Sequence, residues 1–261
     1  MSLDRAIDRL SYQPPRLEPG HVWLAGAGPG DPGCLTLDVV AALGQAEAVV
    51  HDALVHSSVL AIADRAELIF AGKRGGRPSM RQDDITDLLI RLARGGRRVL
   101  RLKGGDPYVF GRGGEEALAL VREGIPFRIL PGVTSAFGAL AAAGIPATMR
   151  GVNKAITLAT GHGAGTEDDL DWAALARTGQ PIVVYMGLKT LPLIAAALLE
   201  GGLAADTPVA VLEAATTSDE RILVGRLDGI AAETAAAGIR SPALIAIGHI
   251  VSVRPGLTGR T

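Results

Sequence analysis

Residues 22–52 read VWLAGAGPGDPGCLTLDVVAALGQAEAVVHD, which predicts a strand, a glycine-rich turn, a helix and a second strand. Apolar runs rich in β-branched residues predict the strands at 22–25 and 48–51, and the helical pattern between them spans 36–43. The same alternation predicts further strands at 68–71, 98–102 and 127–130 and further helices at 57–64, 83–93 and 114–122. Strands that alternate with helices in this way indicate an α/β domain.

The alternation restarts after Gly144-Ile145-Pro146, so the sequence predicts two α/β halves. The second half carries predicted strands at 156–159, 182–185, 209–213, 221–224 and 244–248. We place the two domains at 20–133 and 134–261 and expect residues 1–19 to form a loose N-terminal arm. Ligands of open α/β sheets bind beyond the carboxyl ends of the strands, so two halves would place a site in the cleft between them.

The composition excludes several classes of protein. Hydrophobic residues make up 48% of the 261 residues, which is typical of a compact globular chain. The formal net charge of -1 and the 3% aromatic content disfavour binding to nucleic acid or to an anionic membrane. The single cysteine, Cys34, excludes an intramolecular disulfide framework and a multi-cysteine zinc site. We therefore expect a cytoplasmic protein without a metal, a membrane span or a nucleic-acid partner.

The first glycine-rich turn has the spacing of a dinucleotide-binding fingerprint. Residues 28–33 satisfy G-x-G-x-x-G, and Asp52 follows nineteen residues later. Pro29 and Pro32 lack the backbone N–H groups with which such a turn holds a pyrophosphate. The turn is therefore either structural or adapted to the close approach of a neutral or cationic ligand, and a nicotinamide-dependent oxidoreductase remains an alternative.

Two charged features follow the second and third predicted strands. Asp52 ends the strand at 48–51, where a carboxylate can accept a proton or cap the next helix. The segment 72–82 carries four basic residues and no acidic one, so it either attracts an anionic substrate or forms a solvated loop.

A glycine-dense loop follows the fourth predicted strand. Residues 101–116 read RLKGGDPYVFGRGGEE and contain five glycines and two aromatic residues. Each glycine loses additional backbone entropy on folding, so this density indicates a functional rather than a merely structural loop.

The motifs together resemble the S-adenosylmethionine-dependent uroporphyrinogen-III C-methyltransferases, within the wider tetrapyrrole methylase family. The matching stretches are GAGPGDP at 26–32, LTL at 35–37, D-x-LV at 52–55, GKR at 72–74, the loop at 101–116, PG-x-TSA at 131–136, AGIP-x-T-x-RG at 143–151, TGH at 160–162, YMG at 185–187 and PALIAIG at 242–248. The loop at 101–116 is specific to this family, whereas GAGPGDP is shared with diphthine synthase and a ribosomal RNA methylase.

The resemblance implies the class III methyltransferase fold: two α/β domains with the active site in the interdomain cleft, assembled as a homodimer. It implies methylation of uroporphyrinogen III at carbons 2 and 7, giving precorrin-2 for cobalamin or sirohaem, with S-adenosylmethionine converted to S-adenosylhomocysteine. Other methyltransferases of this fold, acting on precorrins or RNA, and a tetrapyrrole carrier without turnover remain alternatives.

The resemblance also assigns site residues. The cofactor-binding residues that it implies are Pro29, Gly104, Gly105, Asp106, Val109, Thr134, Ser135, Met186, Ala215 and Ala243. Asp52 and Lys73 match the family's acid/base pair, although a simple ion pair is an alternative, and Asp52 is the better base because a carboxylate is ionised at neutral pH. The expected ligands of the substrate carboxylates are Arg74, Arg77, Arg101, Arg112 and Arg150. His51 stands where the family has tyrosine, and Ala214-Ala215 where it favours a glycine.

Overall fold

The computed structural model describes residues 3–72, 80–166 and 169–259. The chain divides into two compact units: unit 1 comprises Met1–Gly28 and Pro32–Val133, and unit 2 comprises Pro29–Asp31 and Thr134–Thr261. All ten predicted strands form, with ends within two residues of the predicted positions. The short segment Pro29–Asp31 of the first glycine-rich turn belongs to unit 2, although the residues on either side of it belong to unit 1.

Unit 1 is built on a parallel sheet of five strands. These strands are β1 (Val22–Gly26), β2 (Ala48–His51), β3 (Glu67–Phe70), β4 (Val99–Lys103) and β5 (Phe127–Leu130). Their order across the sheet is β3-β2-β4-β1-β5, and β4 pairs in parallel with both β1 and β2. Because all five strands run in one direction, their carboxyl ends lie at one edge of the sheet.

Helices cover both faces of this sheet. The helices of unit 1 are α1 (Leu3–Arg9), α2 (Leu37–Gln45), α3 (Ser57–Leu60), α4 (Gln82–Arg94) and α5 (Gly113–Arg122). Residues of α2 and α3 lie in the core on one face of the sheet, and residues of α4 and α5 lie in the core on the other. Leu100 and Leu102 of β4 pack in one core with α2, whereas Val99 packs in a second core with α4 and α5. Successive side chains of β4 therefore point to opposite, buried faces.

The N-terminal arm is more ordered than the sequence indicates. Leu17 is 1% exposed, and its backbone N–H donates to Gln45 of α2 at 3.0 Å. The Gln45 amide donates in turn to the Pro15 carbonyl, and the Tyr12 hydroxyl donates to Asp38 at 2.6 Å. Leu17 stands apart from other apolar residues and gives no periodic signal, yet its burial and these hydrogen bonds hold residues 12–17 against α2.

Unit 2 contains a mixed sheet of five strands. These strands are β6 (Thr157–Thr160), β7 (Ile182–Tyr185), β8 (Pro208–Glu213), β9 (Arg221–Arg226) and β10 (Ala243–Ile247). Their order is β6-β7-β10-β8-β9; β6 and β7 are parallel, and the other neighbours are antiparallel.

The helices of unit 2 are α6 (Ser135–Ala142), α7 (Trp172–Arg177), α8 (Leu191–Glu200), α9 (Ile230–Ala236) and α10 (Arg254–Thr258). Three of them, α7, α8 and α9, contribute residues to one apolar core. The core joins Val184 and Ile245 of the sheet to Ile194 and Leu198 of α8 and to Trp172 of α7. Across the described part of the chain, no helix has the length and apolar character that a membrane crossing requires.

Candidate active site

The loops after β1 and β4 meet at the carboxyl edge of the unit 1 sheet. Gly28 and Gly105 form a backbone bridge: the Gly105 N–H donates to the Gly28 carbonyl at 2.7 Å, and the Gly28 N–H donates back at 3.2 Å. A Cβ on Gly26 would lie 2.5 Å from the Gly105 oxygen, and Gly105 itself has φ +69°. Glycine is required here because the two loops approach more closely than side chains allow.

Asp52, in the loop after β2, connects that loop to the loop after β4 at the carboxyl edge of the unit 1 sheet. One carboxylate oxygen accepts the Leu54 N–H at 2.9 Å, and the other accepts the Gly104 N–H at 3.2 Å. Asp52 does not cap α3, because the N-cap of that helix is His56. A carboxylate has about four acceptor sites, so these two bonds leave Asp52 able to accept a proton.

Asp106 fixes the glycine-dense loop internally. Its two oxygens accept the Tyr108 N–H at 2.8 Å and the Gly132 N–H at 3.0 Å. Beyond it, Phe110 and Arg112 adopt left-handed conformations, with φ +51° and +58°. Such conformations are unfavourable for residues with side chains and are concentrated at functional sites.

A buried ion cluster lies beneath this loop, between β4 and the two helices on that face. Glu116 of α5 is 0% exposed and accepts hydrogen bonds from Arg101 at 3.1 Å, from Lys103 at 3.0 Å and from Gln82 at 2.9 Å. The Arg101 guanidinium also donates to the Val50 carbonyl. The expectation that Arg101 binds substrate is therefore not supported, because its side chain is only 4% exposed and points into the cluster.

Lys103 is electrostatically perturbed within this cluster. Burial lowers the pKa of Lys103, and the positive charge of Arg101 lowers it further. The negative charges of Glu116 and Asp52 oppose this shift.

In unit 2, a hydroxyl network links α6 to the end of β7. The hydroxyls of Thr134 and Tyr185 lie 2.6 Å apart, and the Ala136 N–H donates to the Tyr185 hydroxyl at 3.1 Å. Met186 follows directly, with φ +53° and 55% of its surface exposed. Met186 is therefore not part of the apolar core of unit 2.

The first glycine-rich turn is held on unit 2. A Cβ on Gly138 of α6 would lie 2.5 Å from the Pro29 ring, so Pro29 rests directly on that helix. The Asp31 N–H donates to the Thr216 hydroxyl at 3.2 Å. Thr216 has φ +67°, which is strained for a β-branched residue, and it lies next to Ala215.

The other site residues have the following surroundings. Val109, Ser135, Ala215 and Ala243 are half-buried, and Arg150 is exposed. Arg112 is exposed and forms a bidentate ion pair with Glu115. Lys73, Arg74 and Arg77 lie outside the described residues. His51 is 9% exposed, and its ring contacts Phe70 edge to face at 5.6 Å. Unit 1 therefore carries Asp52 with Gly104, Gly105, Asp106 and Val109, and unit 2 carries the remaining expected cofactor residues.

Three features of the site were not predicted from the sequence. The ion cluster had a usable signal, since Arg101 and Lys103 are two residues apart on a strand, hence on one face, and a helix bearing Glu116 follows. The sequence carries no signal for the roles of the Tyr185 and Thr216 hydroxyls, because both roles depend on contacts between segments that are distant in the sequence. No group of three metal-ligating side chains occurs within residues 3–72, 80–166 and 169–259.

Two α/β units, with glycine-rich loops and a backbone-held carboxylate at one sheet edge, are typical of α/β enzymes that bind small molecules beyond the carboxyl ends of their strands. The family comparison is more specific. The model of the Tetrapyrrole (Corrin/Porphyrin) Methylases matches residues 21–231, and the chain belongs to this family.

Curated relatives agree with this assignment. The chain is 51% identical to a uroporphyrinogen-III C-methyltransferase of Sinorhizobium sp, over 96% of this chain and 91% of the relative. It is 47% identical to a siroheme synthase of Gluconobacter oxydans, over 90% of this chain and 50% of the relative. The chain thus spans about half the length of the siroheme synthases that it matches.

Solved structures share the fold. A uroporphyrin-III-C-methyltransferase from Thermus thermophilus superposes with a TM-score of 0.76 at 43% identity, covering 91% of this chain and 96% of that one. A second structure from that organism, complexed with S-adenyl homocysteine, has the same TM-score and 41% identity over 89% of this chain and 99% of that one. A cobalt precorrin-4 methyltransferase has a TM-score of 0.80 at 28% identity, covering 91% of this chain and 98% of that one. The expected family and fold class are confirmed.

Proposed function

We propose that this chain transfers methyl groups from S-adenosylmethionine to carbons 2 and 7 of uroporphyrinogen III, giving precorrin-2 for cobalamin or sirohaem synthesis. One observation carries the proposal: the 51% identity, over nearly the whole of both chains, to a relative named for this activity. The comparisons favour neither the nicotinamide-dependent oxidoreductase nor the RNA methyltransferase that the sequence left open.

The residues at the two glycine-rich loops fit S-adenosylmethionine. A Cβ on Gly104 would lie 2.7 Å from the Leu54 side chain, so only glycine fits where this loop passes the loop after β2. Pro29 offers a ring face and no N–H, which suits a ligand without phosphates. When bound, S-adenosylmethionine supplies an electrophilic methyl group on a sulfonium. We propose that Gly104, Gly105, Asp106 and Val109 in unit 1 bind it.

In unit 2 we propose that Pro29, Thr134, Ser135, Met186, Ala215 and Ala243 complete its binding site. The support is that short contacts fix the backbone beside several of them. Tyr185 holds the start of α6 beside Thr134, and Thr216 holds the turn that contains Pro29. The left-handed, exposed Met186 supports its placement against the adenosine.

The substrate is a tetrapyrrole with many carboxylates, which arginine side chains bind through paired hydrogen bonds. Arg112 and Arg150 are exposed and are our proposed ligands. The guanidinium of Arg112 is already oriented by Glu115, which presents it as a planar fork. Arg74 and Arg77 are proposed on the sequence alone, and Arg101 is withdrawn.

Each methylation forms a carbon–carbon bond, breaks the sulfur–carbon bond and leaves one proton to be removed from the substrate. We propose that Asp52 accepts this proton, since the Leu54 and Gly104 N–H groups fix its orientation while leaving acceptor sites open. Lys73 is proposed, from the sequence, to hold a substrate carboxylate or to return a proton.

The activity is tested by incubating the protein with uroporphyrinogen III and S-adenosylmethionine and measuring the mass of the tetrapyrrole. A gain of two methyl groups is expected, and a gain of one or none would contradict the proposal. A calorimetric titration provides the binding control: S-adenosylhomocysteine is expected to bind and NAD is not.

Assembly and location are also proposed. We propose a homodimer on the basis of the resemblance, to be tested by sedimentation equilibrium. A cytoplasmic location is supported by the single cysteine, which a reducing compartment tolerates. A protein that sediments as a monomer would contradict the proposed homodimer.

A further inference from the structure

The end of β8 holds a buried carboxylate that the proposed methyl transfer does not use. Glu213 follows four buried apolar residues, and its side chain is 8% exposed. One oxygen accepts an N–H of the Arg221 guanidinium on β9 at 2.9 Å, and the other accepts the Arg240 N–H at 3.1 Å. Arg221 also donates to the Ala237 carbonyl at 2.8 Å, in the turn after α9. An apolar residue would continue β8 without burying a charge, so the carboxylate serves more than strand pairing.

The same carboxylate fixes the segment that leads into β10. Arg240, which bonds to Glu213 through its backbone N–H, lies three residues before this strand. The Pro242 carbonyl accepts the Ala214 N–H at 2.9 Å, which forms a second bond between this segment and the end of β8. Ala243 follows at the start of β10 and pairs directly with Glu213 across the sheet. These contacts therefore set the path of the backbone into Ala243.

A strained loop follows Glu213 in the chain. Ala214 and Thr216 adopt left-handed conformations, with φ +45° and +67°. Residues with side chains keep such conformations only where the surrounding contacts impose them. The Ala215 N–H and carbonyl form no hydrogen bond with any other residue in the described part of the chain. The loop therefore presents a backbone donor and acceptor that a ligand can bind.

We infer that Glu213 is a positioning residue for the cofactor: it holds the backbone of Ala215 and Ala243 in the conformation that binds S-adenosylmethionine. The Arg221 guanidinium and the Arg240 N–H are the two donors through which it acts. The inference rests on the proposed binding of the cofactor by Ala215 and Ala243. The backbone that Glu213 holds contacts the ligand, whereas its own side chain does not.

Glu213→Gln tests this role, because a glutamine side chain has one acceptor oxygen for the two donors. We expect the Kd for S-adenosylhomocysteine, measured by calorimetry, to rise about tenfold or more, as for a lost hydrogen bond to a charged group. The kcat at saturating S-adenosylmethionine should stay within about twofold of the wild type, because Asp52, the proposed base, lies in unit 1. A wild-type Kd would overturn the inference. Fewer binding sites per chain with an unchanged Kd would also overturn it, since Glu213 would then serve folding alone.

Arg221→Met provides a second variant and a double-mutant cycle. It removes the cation and should by itself raise the Kd by about tenfold. In this background Glu213→Gln should raise the Kd by less than about twofold, because one oxygen then suffices for the Arg240 N–H. Additive effects of the two substitutions would overturn the inference, and so would a wild-type Kd for Arg221→Met.

Two controls match these variants. Arg240→Ala removes a side chain that is 86% exposed and keeps the N–H that bonds to Glu213, so the Kd should remain that of the wild type. Glu200→Gln makes the same chemical change at an exposed position of α8 and should also leave the Kd unchanged. A Kd raised by Arg240→Ala as much as by Glu213→Gln would overturn the inference, because the side chain of Arg240 would then matter rather than its backbone.

The proposed function and this inference fail in different ways. If the wild-type protein binds S-adenosylhomocysteine but does not methylate uroporphyrinogen III, the proposed function fails, and the binding measurements still decide the role of Glu213. If the wild-type protein does not bind S-adenosylhomocysteine, both are overturned.

Discussion

Removal of Glu116 should destabilise unit 1 far more than removal of its neighbour Glu115. Glu116→Ala leaves the Arg101 and Lys103 cations buried without a counter-charge. Breaking a buried ion pair in this way costs about 3–5 kcal/mol. For a unit of this size, that corresponds to a fall in Tm of roughly 10–20 °C.

Glu115→Ala is the matched control, because it removes the same side chain from the adjacent position of α5. Glu115 and Arg112 are 57% and 56% exposed, so this pair contributes less than about 1 kcal/mol. The two substitutions therefore differ in burial and in the number of cations that lose their partner.

The chain offers a selective assay for this comparison. Its two tryptophans lie in different units: Trp23 is in the core of unit 1, and Trp172 is in the core of unit 2. In a Trp172→Phe background, tryptophan fluorescence reports the unfolding of unit 1 alone. If Glu116→Ala unfolds no earlier than Glu115→Ala, the buried cluster does not depend on its carboxylate and the charge argument is refuted.

Three further outcomes are expected. Gly105→Leu should weaken S-adenosylhomocysteine binding by about tenfold or more, because φ +69° is costly for a residue with a side chain. Thr216→Val should weaken it by about fivefold, since a lost hydrogen bond is worth about 1 kcal/mol. Burial and the hydrogen bond to Asp38 raise the pKa of Tyr12 to about 12. Because this pKa exceeds that of tyrosine in the unfolded chain, about 10, the Tyr12 phenol stabilises the folded state fully below pH 10. This stabilisation is lost as the pH rises through about 12. Tyr12→Phe should abolish that dependence and remove the phenol that ionises near pH 12.

Each of these outcomes has a control. Thr178→Val removes a hydroxyl that also accepts a backbone N–H at 3.2 Å, in an exposed turn, and should leave binding unchanged. Equal effects of Thr178→Val and Thr216→Val would show that the Thr216 contact has no special role. Unchanged affinity of a folded Gly105→Leu protein would refute the placement of this glycine. Ultraviolet absorbance measures phenol ionisation. A titration curve of Tyr12→Phe identical to that of the wild type would contradict the assignment of the raised pKa to Tyr12.

The sequence predicts the strands of this fold well because each strand is a compact apolar run bounded by glycine or polar residues. The apolar pattern of the strands does not predict their direction in unit 2. Residues 208–213 and 221–226 would have the same pattern in a parallel or an antiparallel pair, and only the short connection between them indicates the antiparallel arrangement that the structure has. Residues 12–17 are held by the burial of Leu17, which has no periodic apolar neighbours, and by hydrogen bonds to Asp38 and Gln45 that the sequence does not reveal.

The candidate site also has residues that the sequence predicts and residues that it does not. The glycines and Asp52 are recognisable because backbone approach and a strand-end carboxylate depend on local sequence. The direction in which an arginine side chain points on a strand that is buried on both faces does not depend on local sequence. Arg101 was therefore misassigned to the substrate. Alternation along β4 places Arg101 and Lys103 on one face, and the helix that follows bears Glu116, but the sequence does not show that both cations bond to that carboxylate.

The central claim, that Asp52 removes the proton during methyl transfer, is tested by measuring turnover and S-adenosylhomocysteine affinity of Asp52→Asn together. Asparagine retains one of the two oxygens that accept the Leu54 and Gly104 N–H groups, so the loops keep part of their support. Asp228→Asn, at an exposed aspartate, is the control. The account predicts that turnover falls by ~10²–10⁴-fold while affinity remains unchanged. Turnover equal to that of the wild type, or an equal loss of binding and turnover, would contradict it.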